Sequence, residues 1–461
     1  MKPNNPRSRP GPPAGNRLTR RRFLARSGTA LAGSALAGLT LPRVHAGGSD
    51  IIRLALIGCG NRGCGAAANA FDSPNGPVRL IAMADLFPEA LDRAFKTLAE
   101  KYPDRMDVPR ERRFAGFDAY KKAMDCLQPG DVAMLTGYSA FRPAQLEYAV
   151  ERGVNVFMEK SFGPDAPALR RIIRAGEQAA KKNLKIAAGL QCRHSVNRHE
   201  LIRRIRDGAM GQVQLVRSYR MQPVGTLKPK PPDVPELRWQ LGFNHFIHFL
   251  WVSGGLFAEM NIHQIDEMCW ILDAWPVSAH AIAGRAPNSK DCSQNLDSFA
   301  IEWTFANGAK GVHQVRWLPN CHTEFATYIH GTKCAAQFSG WSHVGTVHLY
   351  KDQRCANDNI AWRAPKEQFT PWEAQWNNLL EAIRHDKPFN EAKRAALSNI
   401  ADLMGRAAAH MGRVITWDEM MNSNFQFCPN VDALTETSEP PVRADAQGCY
   451  PVPVPGEWNE V

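Results

Sequence analysis

Acidic residues are missing from the first 46 positions, which carry nine basic ones: Lys2, Arg7, Arg9, Arg17, Arg20, Arg21, Arg22, Arg26 and Arg43. Most of the formal charge of +11 therefore sits in one segment, and the remainder holds 47 basic against 45 acidic side chains. A body so nearly balanced lacks the electrostatic footprint of a nucleic-acid binder, and that partner class is set aside. Metal-type cysteine pairing is also missing: the eleven cysteines are scattered, with no CxxC and no clear zinc spacing. The apolar run at 27–41, rich in Gly and Ala, is too short and too weak to span a bilayer, so stable membrane insertion is not expected. No internal repeat is visible, which sets array architectures aside.

The acid-free segment has an order of its own. Thr19-Arg20-Arg21-Arg22-Phe23-Leu24 is a twin-arginine pattern. The weak apolar run follows, and then Val44-His45-Ala46, a small-x-small cleavage site. Residues 1–46 are expected to be a Tat signal peptide outside the fold, and the mature protein is expected to be periplasmic or otherwise extracytoplasmic.

The stretch that organises the body is 51–65, IIRLALIGCGNRGCG. A mostly apolar run leads into Gly58-x-Gly60-x-x-Gly63, and small residues then open a helix. Strand, tight glycine turn and helix N-terminus are the setting in which a dinucleotide pyrophosphate rests on backbone amides. A second strand at 78–84 ends in Asp85, 22 residues past Gly63. An acid at that place can bond the adenosine ribose hydroxyls and repels a 2′-phosphate, so NAD is favoured over NADP. Export sharpens the expectation. The space beyond the membrane offers no useful pool of free NAD, so the cofactor should be held tightly and regenerated within each cycle.

Further strands are expected at 131–136, 155–158 and 185–189, alternating with helices at 89–101, 117–125, 144–153 and 166–182. This alternation predicts a doubly wound parallel sheet, with ligands beyond the carboxyl ends of its strands. Lys160 falls at that edge. Later strands, at 212–219, 279–284, 296–306, 310–317, 325–331 and 335–339, are separated by turns, with Asn307-Gly308 a strong hairpin signal. They predict a large, mostly antiparallel open sheet with helices on one side, and helices 371–384 and 391–411 are expected to return to the first domain. The resulting α/β organisation is a Rossmann domain over 47–190, a substrate and catalytic domain over 191–417, and a Pro-rich extension over 418–461. Trp239, Phe243, His245, Phe246, Phe249 and Trp251 form an aromatic cluster that lines a carbohydrate site or fills a core. Cys428 and Cys449 both lie in the Pro-rich extension, where an oxidising compartment would allow a bridge.

Residues 254–272 are predicted helical. Ile262, Ile265, Cys269 and Leu272 then form an apolar face, with Glu259, His263, Asp266 and Trp270 along a neighbouring stripe. A carboxylate and an imidazole at i,i+4 point the same way and can meet one substrate, or can be an ordinary surface pair.

Taken in order, GCGNRG, Asp85, Glu159-Lys160 and GGxxxExxxHxxD resemble the Gfo/Idh/MocA oxidoreductase family over roughly residues 50–415. The resemblance implies an active site between a Rossmann domain and an open-sheet α/β domain. The roles around the hydride-exchanging carbon fall on Lys160, Glu259 and His263. Cofactor contacts fall on Gly58, Gly60, Asn61, Arg62, Gly63, Asp85, Glu159 and Lys160. Arg193, His194 and Tyr138 are candidates for substrate binding. No metal is expected, His245 and His248 being the nearest to an additional ligand pair for Glu259 and His263. Two departures stand out: Ser161 where the family has proline, and Glu259 where aspartate is commoner. The resemblance also implies a homo-oligomer formed through the open sheet. The expected activity is hydride transfer on a sugar, polyol or glycoside. The alternatives are an NAD-dependent glycosidase working by transient C3 oxidation and elimination, and a ligand-binding member without catalysis.

Overall fold

The computed structural model describes residues 50–339 and 346–461. The signal peptide expected over 1–46 lies outside the described residues. The first sheet has six parallel strands: β1 (Ile52–Ile57), β2 (Val78–Asp85), β3 (Arg113–Ala115), β4 (Val132–Leu135), β5 (Asn155–Met158) and β6 (Ile186–Ala188). Their order is β3-β2-β1-β4-β5-β6, so the strand order reverses between β1 and β4, where a doubly wound sheet opens its ligand crevice. The crossovers are α1 (Asn61–Phe71), α2 (Pro88–Lys101), α3 (Ala119–Asp125), α4 (Arg142–Arg152) and α5 (Ala166–Lys181). Their ends follow from local chemistry. Pro88 opens α2, Asp165 caps α5 by accepting from Ala168 N, and Gly153 closes α4 at φ +72°. β4 and β5 are buried at every position, as a strand covered by helices on both faces must be.

After α6 (Val196–Arg206) comes β7 (Val213–Met221), then the short helices α7 (Glu236–Gln240) and α8 (Leu250–Ser253), and the long α9 (Gly255–Leu272). The second sheet is completed by β8 (Pro276–Gly284), β9 (Ser298–Phe305), β10 (Lys310–Arg316), β11 (Glu324–Gly331), β12 (Ala335–Ser339), β13 (His348–Tyr350), β14 (Ile360–Arg363) and β15 (Ile415–Thr416). Among the described residues it has nine strands in the order β14-β13-β12-β11-β7-β10-β9-β8-β15. All pairings are antiparallel except β7 with β10, which makes the sheet mixed. One face alternates buried residues with half-exposed ones along β9 and β10, and the buried face meets α9 and α11 (Ala392–Met411). The chain then returns as expected. α10 (Pro371–Arg384) places Trp376, Leu379 and Leu380 in one core with Ile52 and Leu54 of the first sheet and Ala66 of α1, and Trp376 stacks on Phe157 at 4.5 Å.

After α12 (Trp417–Asn422) the extension runs over the protein without regular strands, fixed at separate points. Glu460 is buried between Arg406 (2.9 Å) and His410 (3.0 Å), and the Tyr450 hydroxyl donates to Glu236 at 2.8 Å. The cysteine expectation needs correction: Cys449 is bonded to Cys292, 157 residues away, and Cys428 is a free, buried thiol. The reason is where the tail lies. Tyr450 N donates to Cys292 O at 3.0 Å, so backbone pairing sets the two sulfurs side by side. Cys428 is buried instead beside Ala140, Pro143 and Trp251.

Candidate functional site

The glycine turn follows β1 at the reversal point. Gly58 has φ +96°, and a Cβ there would collide with the Gly137 backbone at the end of β4. Thr136 ties the same two strand ends together, its hydroxyl donating to Gly58 O at 2.6 Å. At Gly60 an added Cβ would meet no atom within 4 Å, so the turn opens onto free space where a pyrophosphate would lie. Gly60 offers α1 no side-chain cap, which leaves its first-turn amides available to an anion. Arg62 adds a cation. Its Nε donates to Glu159 Oε1 at 2.6 Å, while its Nη2 is buried without a hydrogen-bond partner against the same cleft. An orphaned guanidinium nitrogen beside open helix amides fits a dinucleotide's phosphates.

The cleft is a cavity of about 340 Å³. It runs from Asp85 past the glycine turn to Glu159, Lys160 and Glu259, all of which line it. Asp85 accepts from Cys59 N at 2.6 Å and from Phe87 N at 2.9 Å, so the carboxylate is oriented by backbone. Burial pushes its pKa up, against the pull of those N–H bonds. Around this end stand Phe87, Phe117, Tyr138 and Phe141, with Phe117 and Phe141 edge to face at 5.9 Å. Tyr138 thus faces the cleft, with its hydroxyl donating to Leu241 O at 2.6 Å and its ring tilted against Phe246 at 5.3 Å. Among the lining residues that the sequence did not point to are Val431, Asp432 and Leu434 of the extension. A Pro-rich tail without periodicity carries no signal for such a contact.

At the far end, β5 delivers Lys160. Its Nζ donates to Glu259 Oε2 at 2.8 Å and to Glu259 O at 2.7 Å, which leaves the third ammonium direction for the cleft. The other carboxylate oxygen, Oε1, accepts from the Ser161 hydroxyl at 2.9 Å. The two departures from the family pattern therefore meet: the serine supplies a hydroxyl to the longer glutamate. Asn399 of α11 holds the chain beyond, its Oδ1 accepting from Phe162 N at 2.8 Å. Asp402, one turn further on, lies in the field of Arg406, Glu259 and Lys160, and burial raises its pKa well above the usual carboxylate range.

The rest of the α9 stripe is placed differently. Sixteen residues of α9 are buried, so it is a central helix rather than an amphipathic surface one, and every charge on it needs a partner. Asp266 receives Arg193 through two nitrogens (2.8 and 2.9 Å), Ser398 Oγ at 2.6 Å and Arg394 at 3.4 Å, and its pKa is held down by the two guanidiniums despite burial. Glu267 takes Arg198 and the hydroxyls of Thr327 and Ser339. Arg193 is thus committed to an internal ion pair, with Trp270 beneath its guanidinium at 4.6 Å. His194 lies between Asn378 and Glu391. Neither lines the cleft. His263 is buried beside Glu259 on α9 but also outside the cleft lining. Burial, then the charges of Lys160, Arg220 and Arg198, drive its pKa well below the imidazole range, so it is neutral at ordinary pH. His245 donates through Nδ1 to Trp239 O (2.7 Å), and His248 is pushed down to about 4 by burial. Among the described residues no group of three His, Cys, Asp or Glu side chains is placed to hold a metal. No helix among them is long and apolar enough to cross a membrane.

A parallel sheet in this order, with a glycine turn at its reversal point and a second, largely antiparallel sheet in the same chain, defines an α/β protein with a Rossmann-like first sheet. Residues 199–337 match the GFO/IDH/MocA C-terminal domain. Inositol 2-dehydrogenase of Rhizobium meliloti (strain 1021) is 25% identical over 232 residues, covering 50% of this chain and 58% of that protein's length. The fold is shared with the aldose-aldose oxidoreductase of Caulobacter crescentus, crystallised with glycerol. That structure has a TM-score of 0.60 and 18% identity, covering 79% of this chain and 99% of that one. It is shared also with scyllo-inositol dehydrogenase of Lactobacillus casei, crystallised with NAD(H) and scyllo-inositol. There the TM-score is 0.58 and the identity 21%, covering 80% of this chain and 99% of that one. Residues 199–337 therefore carry a GFO/IDH/MocA C-terminal domain, and the chain spans little more than half the length of the inositol 2-dehydrogenase it matches, 58%.

Proposed function

We propose that this protein is an NAD-dependent oxidoreductase that transfers hydride to and from a sugar, a polyol or a glycoside. The observation that carries the reading is a single cleft that begins at the glycine turn and Asp85 and ends at the Lys160–Glu259 pair. Nicotinamide, when bound, supplies the hydride acceptor or donor. The chain's own groups do the rest. The first-turn amides of α1 and Arg62 bind the pyrophosphate, and Asp85 binds the ribose and disfavours a 2′-phosphate. Lys160 donates its remaining N–H to the substrate oxygen and stabilises negative charge as it develops there. The hydroxyl proton passes to the Lys160–Glu259 pair during oxidation and returns from it during reduction. Ser161 holds the carboxylate so that Lys160 stays aimed at the cleft. The neutral, enclosed His263 supports the pair's surroundings rather than meeting substrate.

The names of the relatives point to aldoses and inositols as the first compounds to try. Export by the twin-arginine route and internal recycling of the nicotinamide belong to this reading, and the walled cleft supports tight retention. The test is to incubate the purified protein with aldoses, polyols and glycosides, singly and in pairs, and to identify the products. An aldonate with an alditol, or a ketose from a polyol, is expected. Net glycosidic cleavage would move the assignment to the elimination mechanism, and no product from any of them with NAD bound would leave a binding protein.

A further inference from the structure

The C-terminal extension enters the cleft at one end only. Val431 and Leu434 stand with Phe87, Phe117, Tyr138 and Phe141 around the Asp85 end, and all are part of one apolar cluster. This chamber has flat aromatic walls and a polar feature. The side chain of Gln145, on the first turn of α4, is 7% exposed, lines the cavity, and leaves its Oε1 acceptor without a partner. A buried amide oxygen among aromatic rings suits a planar, apolar ring that carries an N–H donor. An adenine meets both conditions, and Asp85 beside it places the ribose.

The tail segment that closes the chamber is held within it and further along the chain. Asp432 pairs with Arg171 at 2.8 Å, and Arg171 is itself clasped by Glu147. Further on, the Cys292–Cys449 bond and the Lys230 N to Gly448 O hydrogen bond (2.9 Å) fix the chain to the second domain's loops. The buried Glu460 fastens the last turn. A segment pinned within the chamber and beyond it cannot leave without breaking one of these contacts.

We infer that the extension is part of the cofactor site: Val431 and Leu434 form a wall of an adenine subsite whose amide acceptor is Gln145, latched by the Cys292–Cys449 bond. This rests on the nucleotide-binding reading above. It predicts that adenine-bearing ligands escape slowly while the latch is closed.

The test uses the full-length protein freed of nucleotide, titrated calorimetrically with NAD and with ADP-ribose, which keeps the adenine half and lacks nicotinamide. Leu434→Ala should weaken both ligands by a similar factor, about tenfold for a lost buried leucine contact. Reducing the disulfide of the wild type should speed NAD release by about tenfold, and the Cys292→Ser/Cys449→Ser variant should release it equally fast with or without reductant. Circular dichroism checks that each form is folded, and if the double variant fails to fold, Leu434→Ala with its disulfide intact decides. Unchanged affinity and release in folded variants, with tight NAD binding by the wild type, would overturn the inference and leave the oxidoreductase reading standing. Weakened NAD with unchanged ADP-ribose would place the tail at the other end of the cleft and overturn the adenine assignment. Failure of the wild type to bind either ligand would remove both.

Discussion

Two ion pairs lie less than two turns apart on α9, and they differ in how far each is satisfied. Lys160–Glu259 and Arg193–Asp266 each close at 2.8 Å. Asp266 is saturated by two guanidiniums and a serine hydroxyl, and its side chain is 1% exposed. Lys160 has two of its three N–H directions bound to Glu259, its side chain is 20% exposed, and the free direction meets the cleft. On the proposed function, the pair left a donor short of saturation at the wall of the cavity is the one that reacts, and the saturated pair is scaffold.

Replacing each cation or anion in turn breaks the comparison most sharply. Lys160→Met should lower turnover by about 10²–10⁴-fold, the usual worth of a positioned proton-transfer group. NAD affinity should change far less, since Arg62, Asp85 and the α1 amides are untouched. Both are read by steady-state kinetics on whichever sugar or polyol the wild type uses, beside NAD titration. Asp266→Ala should behave in reverse. It strands Arg193 in the interior, while Arg394 keeps Glu391 at 2.5 Å, and should cost about 3–5 kcal/mol of stability by denaturant unfolding. Whatever fraction remains folded should keep its affinity for NAD. If Asp266→Ala abolished turnover in a stable protein, the division between reactive and scaffold pairs would be wrong.

The smallest effect expected is with acid. Arg406 and His410 hold the carboxyl of Glu460 down to about 2 against the effect of burial. A carboxylate lowered in the folded state contributes stability that is complete above its unfolded value, near 4.5, and is lost as pH falls through about 2. Thermal midpoints measured down this window should fall for the wild type and fall less steeply for Glu460→Gln, which starts lower. Equal slopes would mean that the tail's anchor does not titrate in this way.

Much of the first domain was legible because its signals are local. β5 and α10 coincide with their expected bounds, and the glycine turn, Asp85 and Lys160 all stand on the cleft. β3 escaped because three residues at a sheet edge, the half-exposed Arg113 and Phe114 and the exposed Ala115, have no apolar run to announce them. In the second domain, strand positions came from alternation and turns, but the parallel pairing of β7 with β10 is a long-range choice that no local pattern encodes. On α9 the spacing correctly set Glu259, His263 and Asp266 on one stripe, yet spacing does not say which of them will reach a cavity. That was decided by partners far away in sequence, Lys160 on one side and Arg193 with Arg394 on the other. The disulfide was misassigned for the same reason, since Cys292 meets Cys449 through tertiary pairing of the tail. Ser161 looked like a loss of the family's turn proline, and its hydrogen bond to Glu259 became visible only with both side chains placed.

The central claim is that a nicotinamide dinucleotide fills the cleft between the glycine turn and Lys160 and stays there. Denaturing the purified protein and identifying the released small molecules by absorbance and mass tests it most directly. The account predicts near-stoichiometric NAD. A protein that releases no nicotinamide and takes up none in a subsequent titration would contradict it.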